Sequence, residues 1–174
     1  MRTFEMATVA LLALFSVDYT YAAGPGFGRA ATPEEIAAID ISIPPSGKGL
    51  PAGSGNAVAG VDVYAEKCAS CHAEGGKGKP ADKLVGGIGS LDSGKAVKSV
   101  GSFWPYATTL FDYIRRSMPL DAPMTLSDND VYAVTAYVLF LNGIVSEEQS
   151  INAASLPRVR MPNRDGFVDR SGVR

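Results

Sequence analysis

The sequence predicts an all-α fold, and three observations carry that reading. Apolar residues recur at three- and four-residue spacing over 57–69, 107–116 and 127–141. Glycine-, proline- and serine-rich stretches separate these segments and read as loops. Nothing strand-like precedes Cys68, where the first pattern runs into Cys68-Ala69-Ser70-Cys71-His72.

Each segment has its own local signature. Arg2 gives a short basic start, Met6 to Val17 is an apolar run of signal-peptide length, and the small residues Ala22, Ala23 and Gly24 follow. Residues 1–22 are therefore expected to be an export signal, cleaved after Ala22 or Ala23, with an uncleaved membrane anchor as the alternative. The run is short of the roughly 20 residues that span a bilayer. Residues 23–56 read as an N-terminal arm. In it Thr32-Pro33-Glu34-Glu35 places an N-cap threonine, proline at the first helical position and glutamate at the third, a capping box. Pro44-Pro45 and the stretch Ser46–Gly55 end that short helix.

The main domain is expected over 57–145. In its first helix Val58, Val61, Tyr64, Ala65 and Cys68 form one apolar stripe. Gly60 interrupts it at a cost of about 1 kcal/mol against alanine, which usually permits a close helix crossing. Residues 73–102 carry Gly75-Gly76, Gly78, Gly86-Gly87, Gly89, Gly94 and Gly101, and read mostly as loop. Ala107–Arg116 reads as a helix with Leu110, Phe111 and Ile114 inward. Ser127 caps the last helix, whose stripe is Val131, Val134, Tyr137, Val138 and Leu141, and Asn142-Gly143 stops it. Residues 146–174 have little periodicity and several prolines, and read as a C-terminal tail wrapping the domain or a partner.

Two thiols separated by two residues, with histidine directly after, is the spacing of c-type haem attachment. Each thiol adds to one vinyl group on one edge of the porphyrin, and the next side chain lies under the ring to ligate iron. His72 is the only histidine, and Cys68 and Cys71 are the only cysteines, so the sequence has one attachment site for one covalent haem c. A zinc site would lack its remaining ligands. A thioredoxin-like pair should open a helix after a strand. Covalent haem attachment takes place outside the bacterial cytoplasm, so it agrees with the signal and with a periplasmic location.

Composition narrows the partners. The chain has 16 Lys+Arg against 18 Asp+Glu, and removing Arg2, Glu5 and Asp18 with the signal leaves 15 against 16. With no basic stripe, nucleic acid is not an expected partner, and a membrane is expected only if the signal stays uncleaved. The length supports one domain with one core, to which haem would add apolar surface.

A sixth iron ligand is needed for electron transfer without small-molecule binding, and Met118, Met124 and Met161 are the candidates. Met118, before Pro119 in the loop between two helices, is favoured, with Met124 in the same loop second. Any of them could instead fill a gap in the core. His/Met ligation raises the potential relative to two nitrogen ligands. Trp104 lies in the aromatic cluster Phe103-Trp104-Pro105-Tyr106, in which Phe103 reads as core. The Trp104 indole N–H needs a partner when buried, and a haem propionate would serve.

These features resemble a class I cytochrome c over roughly 57–143. In that family the first and last helices cross with a glycine and aromatics at the contact, roles that Gly60, Tyr64 and Tyr137 match. A narrower resemblance rests on Val63–Cys68, Phe103–Arg116 and Met161–Phe167. These are similar to the cytochrome subunits that accompany molybdenum sulfite or sulfane-sulfur dehydrogenases in sulfur oxidation. There the methionine before proline is the axial ligand, which implies Met118. The two-haem relatives have a second cytochrome domain, and here there is no second Cys-x-x-Cys-His. The resemblance implies an electron-transfer protein, or the cytochrome subunit of such an enzyme, with no catalytic residue of its own. It would be fed by a molybdenum dehydrogenase and drained by a downstream cytochrome or oxidase. The other class weighed is a haem sensor or small peroxidase with a labile sixth position. A peroxidase would want a distal acid/base such as a second histidine.

Overall fold

The computed structural model describes residues 27–168. Two compact units divide the chain at Ile39–Asp40. The described part of the first contains α1 (Pro33–Ile39), none of whose residues is buried. Its start is the capping box read from the sequence: the Glu35 amide donates to Thr32 Oγ1 at 3.3 Å and the Thr32 amide donates to Glu35 Oε2 at 2.9 Å. The Arg29 guanidinium, then the Thr32 amide, hold the Glu35 carboxyl below its ordinary range.

The second unit is helical. It contains α2 (Ala57–Lys67), α3 (Ala69–His72), α4 (Val100–Phe103), α5 (Ala107–Ser117) and α6 (Asp128–Leu141). Two-residue strands, β1 (Ser54–Gly55) and β2 (Ile151–Asn152), pair antiparallel with Gly55 opposite Ile151. The sequence signals for the long helices hold, and Asn56 adds one that was not singled out: its Oδ1 accepts from the Ala59 amide at 3.0 Å. Ser127 caps α6 through the Asp130 amide at 3.2 Å. At the other end Gly143, at φ 68°, donates to Phe140 O at 2.8 Å while Ile144 donates to Leu139 O at 3.0 Å, a Schellman stop. The short helix α4, at the end of the expected loop, opens on a Ser99/Ser102 capping box.

The core centres on α6, buried on almost every side from Val131 to Leu139, as a helix apolar all round must be. Against it lie Leu110, Phe111 and Ile114 of α5 and Tyr64 of α2. The crossing of α2 and α6 closes over Gly60, where a methyl group would overlap the Ala133 carbonyl and come within 2.7 Å of Tyr137 Cβ. Tyr64 and Tyr137 pack beside it with ring centroids 5.1 Å apart. This contact corrects the stripe expected on α2. The buried face is Ala57, Gly60 and Tyr64, while Val58 and Val61 are 52% and 41% exposed. Close approach at Gly60 outweighs burial of two valines and sets the rotation of the helix.

Residues 40–56 and the tail join this core. Ile43 is buried and its amide donates to Asp112 Oδ1 at 2.8 Å; Tyr132 donates its hydroxyl to Pro51 O at 2.9 Å. From the tail, Ile151, Leu156, Val159 and Met161 are all buried. Asn163 Nδ2 donates to Phe103 O at 2.7 Å, Phe167 meets Phe103 edge-on at 5.2 Å, and Arg164 lies over Tyr106 at 4.2 Å. The motifs 103–116 and 161–167, read separately in the sequence, thus form one contact. Phe103 is half-buried there, not a core residue.

Candidate functional site

The site begins where α2 ends. Cys68 is both the last cap of α2 and the first of α3, so the chain turns there and starts a new helical turn. The Cys71 and His72 amides donate to Cys68 O at 3.2 and 2.9 Å, which puts both thiols and the imidazole on a single turn. Both thiols are free, Cys68 half-buried and Cys71 exposed. Burial, with Cys71 adding, pushes the Cys68 thiol up to about 11. A redox-active pair needs the opposite, a thiol brought down towards neutral pH. No group of three or more His, Cys, Asp or Glu residues that could hold a metal ion occurs among the described residues.

The imidazole is held from behind. His72 Nδ1 lies 2.9 Å from the Asp82 carbonyl oxygen. A carbonyl only accepts, so Nδ1 carries the proton and the Nε2 lone pair is left for a metal. The loop that brings Asp82 back is laced to the motif. Gly78 donates to His72 O at 2.8 Å, Ala81 to Cys71 O at 2.9 Å and Leu84 to Gly76 O at 2.9 Å. Ala73, directly after His72, turns the chain at φ 59°, ψ 167°, a region that costs a non-glycine residue about 1–3 kcal/mol. Tyr64 donates its hydroxyl to the Ala73 carbonyl at 2.9 Å and so ties that turn to α2. Burial pushes the Tyr64 phenol up to about 12, so it remains a donor.

The three methionines have different surroundings. Met118 caps α5, its amide bonded to Ile114 O at 3.0 Å, and is half-buried against the core. Met124 is 66% exposed, and Met161 is 1% exposed inside the core. Trp104 is half-buried at the end of α4 and meets Tyr113 edge-on at 5.6 Å. Neither the Asp82 carbonyl nor the Tyr64–Ala73 bond was read from the sequence, since a backbone acceptor carries no residue signature. The donor set fits haem c: two free thiols, an imidazole with its outer nitrogen open, and a thioether available at the core's edge.

The family model of the cytochrome c oxidase, cbb3-type, subunit III matches residues 55–138, from β1 through most of α6. A chain of the sulfane dehydrogenase SoxCD from Paracoccus pantotrophus is 42% identical. It superposes with a TM-score of 0.77 over 84% of this chain and 73% of that one. The thiosulfate dehydrogenase of Stutzerimonas stutzeri (strain A1501) is 34% identical over 88 residues, 51% of this chain. The chain spans only 28% of that protein's length. The attachment turn, the glycine crossing of first and last helices and these likenesses agree: the chain belongs to the class I c-type cytochromes and is related to the cytochrome subunits of sulfur dehydrogenases.

Proposed function

We propose that this is a periplasmic monohaem cytochrome that takes electrons from a molybdenum sulfite or sulfane-sulfur dehydrogenase and passes them to a downstream cytochrome or oxidase. The observation that carries the reading is the His72 Nδ1–H donated to the Asp82 carbonyl, which leaves the Nε2 lone pair for a metal, on the same turn as two free thiols.

Bound covalently, haem c supplies a one-electron iron couple. Cys68 and Cys71 would hold it by thioethers, and His72 Nε2 and Met118 Sδ would ligate the iron. The Asp82 carbonyl keeps the imidazole in one tautomer and makes it a better donor. A Met118 thioether on the iron would favour the reduced state and so raise the potential, which suits an acceptor of electrons from an enzyme. The Trp104 indole N–H would donate to a propionate. The signal at 1–22, which lies outside the described residues, supports export. No helix among the described residues is long and apolar enough to cross a membrane.

Mass spectrometry of periplasmic protein tests the first claim: one haem bound through Cys68 and Cys71 is expected. Met118→Ala should then abolish the low-spin His/Met spectrum while Met124→Ala leaves it intact, and the reverse pattern would move the ligand to Met124. Copurification from native periplasm with a molybdenum dehydrogenase that reduces the haem tests the partner. Failure of such an enzyme to reduce it would remove that part of the reading.

A further inference from the structure

We propose that Asn142, at the far end of α6, is a positioning residue for His72; the inference rests on the haem reading above. Asn142 is buried and caps α6. Its Nδ2 donates to Leu84 O at 3.0 Å and Val138 O at 2.9 Å, and its Oδ1 accepts from the Gly86 amide at 3.2 Å. Only one orientation of the amide satisfies these partners, because turning it over would set an oxygen against two carbonyls and an NH2 against an N–H. Three partners therefore fix the side chain in one pose. Gly101 of α4 packs flush on it: a Cβ at that position would come within 2.8 Å of Asn142 Cβ.

The residues it holds are the ones that carry the His72 acceptor. Leu84 follows Asp82 by two residues, and its own amide is bonded to Gly76 O at 2.9 Å. Gly86 has its amide on Asn142, and its carbonyl accepts from Ser99 Oγ at 2.6 Å, so the residue is held through the peptides on both sides of it. The backbone from Asp82 to Gly86 is irregular; the Ala81 amide on Cys71 O at 2.9 Å holds it just upstream of Asp82, and downstream of Leu84 its support comes from Asn142 and Ser99. Asn142 anchors it to the most deeply buried helix of the protein. The Asp82 carbonyl is thereby kept 2.9 Å from His72 Nδ1, although Asn142 bonds Leu84, Gly86 and Val138 and not the histidine. A buried amide with every bond made is costly to break and rigid while intact, which suits this work.

The test uses the holoprotein with its covalent haem verified by mass. Three variants are compared with the parent: Asn142→Ala, which removes the three bonds; Gly101→Ala, which displaces the amide without deleting it; and Val134→Ala, which cuts the α6 core away from the loop. Two quantities are read: exchange of the His72 Nδ1 proton with solvent, by NMR of the reduced protein, and the reduction potential. Asn142→Ala and Gly101→Ala should speed the exchange roughly tenfold, the factor expected from losing the two bonds that tie Asn142 to Leu84 and Gly86. Their potential should rise, because a more loosely held Nδ1–H makes His72 a weaker donor to ferric iron. Val134→Ala should lower the melting temperature with neither quantity moved. Exchange unchanged in the first two variants, or moved equally in all three, would overturn the role of Asn142 and leave the haem reading standing. A parent without covalent haem would overturn that reading and this inference with it.

Discussion

At the scale of single residues, three methionines of one chemistry are separated by surroundings alone. Met161 is 1% exposed and touches the core, so Met161→Ala should cost about 2–5 kcal/mol in chemical denaturation without changing the haem spectrum. Met124 is 66% exposed, and Met124→Ala should change stability by no more than about 0.5 kcal/mol. Met118 sits between these extremes, at the end of α5 and half-buried against the core. Tyr64 does its work through one bond, from its hydroxyl to the strained turn at Ala73. Tyr64→Phe keeps the ring beside Tyr137 and should cost about 0.5–1.5 kcal/mol by the same measurement.

At the scale of elements, the α2–α6 crossing is the joint that places the attachment turn. Gly60 lets α2 lie against the Ala133 carbonyl, and Cys68 follows two turns later on the same helix. Gly60→Leu should overpack that joint and cost about 1–3 kcal/mol or more, seen as a lower thermal midpoint. A variant as stable as the parent would show that the helices can separate there without penalty. The start of α6 is held by Ser127, whose Oγ accepts the Asp130 amide and donates to the Asp130 carboxylate at 2.7 Å. Ser127→Ala should cost about 1 kcal/mol.

At the scale of the molecule, the tail is part of the fold. Ile151, Leu156, Val159 and Met161 are each buried, and such side chains contribute about 1.5–3 kcal/mol apiece. Their sum is comparable to the about 5–15 kcal/mol that stabilises a whole domain. Deleting residues 146–174 should therefore unfold the protein or lower its melting temperature steeply. A docking role for the tail needs gentler variants. Phe167 is 54% exposed and Arg164 rests on Tyr106 at the surface. Phe167→Ala and Arg164→Ala should leave the fold intact, with about 0.5–1 kcal/mol at stake in the Arg164–Tyr106 contact. If the tail docks the dehydrogenase, both variants slow haem reduction by it; unchanged rates would assign the tail to folding alone.

The attachment motif, the Ser127 cap and the α1 capping box were legible because they are local. The thiol and histidine spacing is one helical turn, and a cap joins residues three apart, so no distant segment has to be placed first. Gly60 was legible for a related reason, since an interior glycine is costly enough to imply a crossing. Which face of α2 turns inward was not, because Val58 and Val61 satisfy the same periodicity as Ala57 and Gly60, and only the approach of α6 chooses between them. The tail lacks periodicity, and its burial follows from cavities left by α5 and α6, whose shape exists only after those helices pack. Most hidden of all was the support behind His72. The Asp82 carbonyl is backbone, and Asn142 reaches Leu84 and Gly86 across 58 and 56 residues. Hydrogen bonds between such distant parts depend on where the folded chain brings them together, and this the tertiary structure alone decided.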